Sequence, residues 1–177
     1  MTEEAARTVV AWRYEPPYDF YNLADNPEVL AELLDGSYEA AWDAKGDVAA
    51  FFCTGLAAQV PDGFRVGAYD NLDGVVVDLG LGMRPDLTGR GLGQLFIEDV
   101  MGIFRDQHLG AWIRLTVAAH NERAFRLYRR MGFAAERQFE SHGVTFYTMR
   151  RALTAPPAPP ADQEGDSSQH QQRSPEP

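Results

Sequence analysis

Between Val75 and Phe104 the chain passes from an apolar run into a helical pattern through Thr88-Gly89-Arg90-Gly91-Leu92-Gly93, three glycines at alternate positions. Upstream, Val75-Val76-Val77-Asp78-Leu79-Gly80-Leu81-Gly82-Met83 has the period of a strand, with Val75, Val77, Leu79, Leu81 and Met83 on one face and Asp78, Gly80 and Gly82 on the other. Glycines inside a strand weaken it and mark either a bulge or a place where another group approaches bare backbone. Downstream, Leu92, Leu95, Phe96, Val100, Ile103 and Phe104 predict an amphipathic helix. A glycine run between these elements exposes main-chain N–H groups where a helix begins, and the helix dipole favours an anion there. A pyrophosphate fits such a site, and Arg90 adds a fixed positive charge; a plain connecting turn is the alternative. The Gly-x-Gly-x-Gly spacing lacks the three-residue interval of the dinucleotide fingerprint and no Gly-Lys-Ser/Thr follows, which excludes Rossmann and P-loop readings.

Other segments supply a layered frame. Thr8–Trp12 is β-branched and apolar and reads as a first strand. Asn26 and Pro27 open a short helix whose apolar residues Val29, Leu30, Leu33 and Leu34 end at Gly36. Tyr38–Trp42 and Val48–Cys53 read as antiparallel strands, and the stretch from Gly55 to Gly74 as mostly loop. Ile113–Ala118 is a further strand. Ala124, Leu127, Tyr128 and Met131 line a helix stopped by Gly132, and Ala135–Ser141 with Val144–Arg150 form a hairpin across His142-Gly143. This order predicts an α/β (α+β) fold, a mixed sheet with helices on its faces.

At 177 residues the chain suits one domain with a real core. We expect that domain over residues 1–153, followed by a disordered tail over 154–177, where Ala155-Pro156-Pro157-Ala158-Pro159-Pro160 leads into Gln, Ser and acidic residues. The net charge of −10 makes nucleic acid an improbable partner. That acidity either keeps the protein soluble or suits a cationic acceptor. No long apolar run and no basic leader is present, so the expected location is cytoplasmic, without a membrane partner. Cys53, the sole cysteine, forms no internal disulfide or thiolate zinc cluster and reads as core filler; no metal is expected.

The glycine loop and a second motif together resemble the GNAT N-acetyltransferase family. Thr88 to Gly93 stands in the register of its phosphate loop, Gln/Arg-x-x-Gly-x-Gly/Ala. Asn121, Ala124, Leu127, Tyr128, Gly132 and Phe133 meet every defined position of Asn-x-x-Ala-x-x-Leu/Phe-Tyr-x-x-x-Gly-Phe. The resemblance is strong from about Val75 to Arg150. It implies a mainly antiparallel sheet of six to seven strands with a splayed central pair, and acetyl-CoA as co-substrate. It implies coenzyme contacts at Leu81, Gly82, Met83, Thr88, Gly89, Arg90, Gly91, Leu92, Gly93 and Asn121. The pantetheine arm would run beside Leu81 to Met83, where one N–H near Leu81 would polarise the thioester carbonyl. Thr88 departs from the family's Gln or Arg, which alters affinity modestly if main-chain donors dominate.

The implied reaction is direct attack of a primary amine on the thioester, the amine belonging to a protein N-terminus, a lysine or a small molecule. Tyr128 is the candidate acid toward the departing thiolate, with a core aromatic as the plain alternative. Asn121 reads both as helix N-cap and as a pantetheine contact. Asp78 is the candidate base, against a structural carboxylate; His120 and Glu122 are nearby alternatives. Thr116 stands where relatives that acetylate ribosomal-protein N-termini carry a Glu. Glu15 or Asp19, in the aromatic segment Tyr14 to Tyr21, is expected to meet a positively charged acceptor. The competing function is a coenzyme-binding sensor without turnover. A homodimer is the common prior for assembly.

Overall fold

The computed structural model describes residues 1–70, 75–107 and 112–153. The expected disordered tail lies outside the described residues. Six strands form one sheet in the order β1-β2-β3-β4-β6-β5: β1 Tyr38–Trp42, β2 Val48–Thr54, β3 Val76–Met83, β4 Trp112–Ala118, β5 Ala134–Ser141 and β6 Val144–Ala152. Every neighbouring pair is antiparallel except β3 with β4. Helices α1 Glu3–Val10 and α2 Pro27–Leu33 cover one face, and α3 Leu92–Asp106 and α4 Glu122–Arg130 the other. The mixed sheet flanked by helices is the expected fold class.

The first element is a correction. Of the segment read as a strand at Thr8–Trp12, Thr8–Val10 belong instead to α1, with Ala11 as its C-cap and Trp12 just beyond, because Thr2 caps the N-terminus by accepting from the Ala5 N–H at 3.2 Å and Glu3 and Glu4 sit in the first turn. Ala5, Ala6, Val9 and Val10 are buried on one side of that helix. Helical spacing of the buried residues overrides the β-propensity of two valines. The apolar stripe of α3 is also rotated from the expected one. Ile97, Val100, Met101 and Phe104 are buried, whereas Leu92, Leu95 and Ile103 are exposed. Between Gly55 and Val66 the expected loop contains two 3-10 turns, Gly55–Ala58 and Pro61–Val66.

Two of the three buried clusters among the described residues lie beneath the helices on the two faces, and the third gathers Ala68, Tyr69, Ala118, Phe139 and Phe146. Phe52, Leu79, Ile113, Leu115 and Met149 pack beneath α3 and α4, while Cys53, Tyr38 and Val48 pack beneath α1 and α2. The strand glycines belong to the second face, and β3 pairs with β2 without a register shift from Leu79 to Met83. No bulge accounts for Gly80 and Gly82. A Cβ on Gly82 would collide with the ring of Phe51, and one on Gly80 with Cys53 Sγ. The close approach comes from side chains of β2.

β3 pairs with β4 only through Val76↔Trp112, Val77↔Ile113 and Asp78↔Arg114. Beyond Asp78 the strands part. Because Gly82 lies between Leu81 and Met83, and the Arg84 N–H donates to Ala49 O at 2.8 Å on the β2 side, the alternating ladder aims the main-chain groups of Leu81 and Met83 into the opening.

Gly82→Ala is expected to lower stability by about 1–3 kcal/mol in urea titration, through overpacking against Phe51. Adding Phe51→Leu should recover part of that loss. A neutral Gly82→Ala would refute the packing account of this glycine.

Candidate active site

A cavity of about 640 Å3 opens where β3 and β4 separate, within the range of small-molecule sites. Leu81, Gly82 and Met83 form its floor, Thr88, Gly89, Gly91 and Gly93 one end, and Asn121, Ala124, Leu127 and Tyr128 a side. Trp12, Tyr14, Tyr18, Phe20 and Tyr21 wall the other end.

The glycine end is built from backbone. Gly89 and Gly91 have φ of 76° and 81°, in the left-handed region that glycine adopts freely, and nothing stands within 4 Å of where their Cβ atoms would be. Gly91 is the N-cap of α3 and no side chain caps this helix. Its first turn carries no acidic residue. Fifteen residues of helix thus present open N–H groups and a positive dipole end to the cavity. A diphosphate fits this end on both counts. Leu127 of α4 packs here, 3.0 Å from a Cβ placed on Gly93. Arg90 and Leu92 are exposed and lie outside the cavity lining.

The sides are set by α4. Asn121 caps it, its Oδ1 accepting from the Ala124 N–H at 3.1 Å while its Nδ2 donates to the Tyr21 hydroxyl at 3.2 Å. Gly132, at φ 84°, ends the helix, and Phe133 N–H returns to Tyr128 O at 3.0 Å. Tyr128 therefore points from a helix fixed at both ends. Its pKa is pushed above the usual phenol value by burial and, secondarily, by the neighbouring Tyr21. Among the described residues its hydroxyl has no hydrogen-bond partner. Tyr14 donates to Met83 O at 2.8 Å; its pKa is pushed up to about 12, chiefly by burial. Burial also raises Tyr21.

The structure does not bring Asp78 to this cavity. Asp78 is 5% exposed and forms a two-point ion pair with Arg114, Nε to Oδ1 at 2.6 Å and the second guanidinium nitrogen to Oδ2 at 2.9 Å. Gln59 Nε2 donates to Oδ2 at 2.6 Å, and Arg114 also donates to Tyr69 O at 3.1 Å. With both oxygens engaged and no face on the cavity, this carboxylate is placed as a clamp between strands. Thr116 is hydrogen-bonded with the Tyr69 hydroxyl at 3.1 Å. Glu15 and Asp19 are exposed and do not line the cavity. His120 packs its ring against Phe20 and Tyr21, and its Nε2 is enclosed without a partner. Cys53 is buried, with a thiol pushed up to about 11 by burial, which makes it inert.

Arg123 and Trp12 went unnoticed in the sequence. Arg123 lies 4.3 Å over the ring of Tyr18, and Trp12 stacks on Phe51 at 6.0 Å with its indole N–H enclosed and unpartnered. Arg123 occupies an undefined position of the Asn-to-Phe motif, and Trp12 ends a segment whose composition imitates a strand but which is helical up to Val10.

The model of the acetyltransferase (GNAT) family matches residues 6–133. No curated protein matches the chain. Among solved structures, a spermidine N-acetyltransferase SpeG chimera from Vibrio cholerae and hSSAT superposes with a TM-score of 0.63 at 17% identity, covering 86% of this chain and 92% of that one. A GNAT-family acetyltransferase from Bacillus anthracis gives 0.63 at 10%, covering 86% and 92%. The yncA structure from Salmonella typhimurium, solved with its cofactor acetyl-CoA, gives 0.57 at 18%, covering 91% and 95%. At these identities the likeness is one of fold.

Asp78→Ala should cost about 3–5 kcal/mol, because it strands a buried guanidinium. Denaturant titration checks the loss, and a variant as stable as the wild type would refute the role of Asp78 as a clamp.

Proposed function

Because the chain belongs to the GNAT acetyltransferase family, we propose that it transfers an acetyl group from acetyl-CoA to a primary amine by direct attack, with residues 1–153 as the catalytic unit. The observation that carries this reading is the meeting of an uncapped, glycine-lined α3 N-terminus and an unpaired strand edge in one cavity. The first suits a diphosphate. The second suits an extended amide-bearing arm, since Met83 O already accepts from Tyr14 while the other main-chain groups of Leu81 and Met83 on this edge have no strand partner. An acetyl carbonyl near Leu81 would receive a main-chain N–H as its oxygen gains charge. Asn121 and the residues Gly89 to Gly93 complete the coenzyme contacts.

Tyr128 acts on the leaving sulfur. Its raised pKa keeps the phenol protonated well beyond neutrality. A thiol ionises near 8.5 and an ordinary phenol near 10, so complete proton transfer to the thiolate is already uphill by about 2 kcal/mol, and burial increases the gap. Tyr128 therefore works best as a hydrogen-bond donor to the developing thiolate rather than as a full proton source. No Asp, Glu or His stands among the described residues lining the cavity. The acceptor's ammonium proton accordingly leaves to water before attack.

Calorimetry with coenzyme A is the direct test: micromolar binding is expected, and no affinity would remove the proposal. Tyr128→Phe should lower kcat about a hundredfold while leaving coenzyme affinity nearly unchanged. Wild-type kcat/KM should rise with pH and level off at the pKa of the free acceptor amine. A break near 6.5 in that profile would reveal a histidine base instead. Because the phenol's pKa lies above its ordinary value, Tyr128 adds no falling limb below about pH 10.

A further inference from the structure

The acceptor end of the cavity has the wrong charge for a polycation. Among the described residues its polar side chains are phenols and Asn22, and its one cation is Arg123. Arg123 has no carboxylate partner among the described residues; it rests on the Tyr18 ring, and its charge lowers the Tyr14 phenol pKa against the larger effect of burial. Arg126, on the outer side of the same helix, is by contrast paired with Glu122 at 2.8 Å. Position along α4 separates Arg123 from the coenzyme phosphates. Leu127 faces Gly93 at the start of α3. Arg130, also lining the cavity, lies almost a turn beyond Leu127, whereas Arg123 lies a full turn before it, among the rings of the aromatic segment. Trp12 is 8% exposed and contributes an apolar wall to the cavity, its indole N–H being enclosed.

We infer that the amine accepted here carries a carboxylate on the same molecule, with Arg123 as its counter-ion: an amino acid with an apolar side chain rather than a polyamine. The inference rests on the acetyl-transfer reading and narrows its acceptor. Arg123 pairs with the carboxylate, the rings of Trp12, Tyr14 and Tyr18 cover the apolar side chain, and the α-amine faces the thioester. A spermidine-like acceptor would instead bring two or three charges into a lining that offers no carboxylate to meet them. Free amino acids and peptides with an acidic second residue share the required chemistry, and matched substrates separate them.

The test measures thiol release from acetyl-CoA with L-phenylalanine, L-leucine and L-methionine, each beside its amide and its decarboxylated amine. Spermidine and an N-terminal Leu-Asp dipeptide amide complete the panel. The free amino acids are expected to exceed their amides and decarboxylated counterparts in kcat/KM by about tenfold to a hundredfold, the worth of a charge-assisted hydrogen bond. A dipeptide preferred over every free amino acid would assign the carboxylate to a peptide, and would overturn the amino-acid class. Arg123→Gln should erase the preference while leaving KM for acetyl-CoA within about twofold. A preference for decarboxylated amines or spermidine, or an Arg123→Gln variant that keeps the preference or instead weakens acetyl-CoA, overturns the inference and leaves acetyl transfer standing. No thiol release from any amine, with coenzyme A bound, defeats acetyl transfer. Calorimetry of the matched pairs on the coenzyme-loaded protein then still decides the inference: it stands if the amino acids bind more tightly and Arg123→Gln abolishes the difference, and falls otherwise.

Discussion

The fork between β3 and β4 is the feature on which the rest of the molecule depends, and the Asp78–Arg114 ion pair sits at its base. Asp78 and Arg114 are the last residues in register before the strands diverge. Their two-point contact, reinforced by Gln59 and by the Tyr69 carbonyl, closes the sheet at one end of β3. Past it, β3 is paired on the β2 side alone. A parallel pair that ran on would consume the main-chain groups of Leu81 and Met83 in a ladder, and the cavity would not exist. Buried ion pairs are weak sources of net stability and are better understood as devices that fix an arrangement. Here the fixed arrangement is the point at which pairing stops.

Glycine serves two separate ends in this architecture. Gly89 and Gly91 are needed for their backbone angles, and the space around them is open. Gly80 and Gly82 have ordinary strand angles and are needed because Cys53 and Phe51 fill the volume beside them. The strand glycines let the α1 side of the sheet close tightly over β3, which brings the Phe51 ring to the cavity and Trp12 on top of it. Packing on one face of the sheet thereby shapes the acceptor end of the opening.

What could be read in the sequence was whatever has a local signature. The glycine loop, the Asn121-to-Phe133 helix with its cap and stop, and the His142-Gly143 hairpin each carry their geometry in neighbouring residues. Thr8–Trp12 was misread because two valines and a threonine imitate a strand, while the deciding signals, Thr2 as cap and buried alanines at helical spacing, lie upstream. Asp78 was misplaced for another reason. Strand period puts it on the polar face of β3, and only the register with β4 reveals that Arg114 stands opposite. The chemistry of the acceptor end is similarly non-local, since Trp12, Tyr18 and Arg123 come from segments more than a hundred residues apart.

Overall charge is a poor guide to a site enclosed in this way. The chain carries −10, yet its cavity lining has only arginines for charge among the described residues. Surface carboxylates such as Glu15 and Asp19 face water and are screened over about 8–10 Å. Inside, burial governs. It raises the phenols of Tyr14, Tyr21 and Tyr128 because removal from water disfavours their charged form. Applied to an ammonium entering the same space, that physics runs the other way and lowers its pKa, as does the like charge of Arg123. On the proposed acetyl-transfer reading, the environment that holds Tyr128 protonated also favours the neutral, attacking amine, and a dedicated carboxylate base in the lining would oppose the anion proposed as the partner of Arg123.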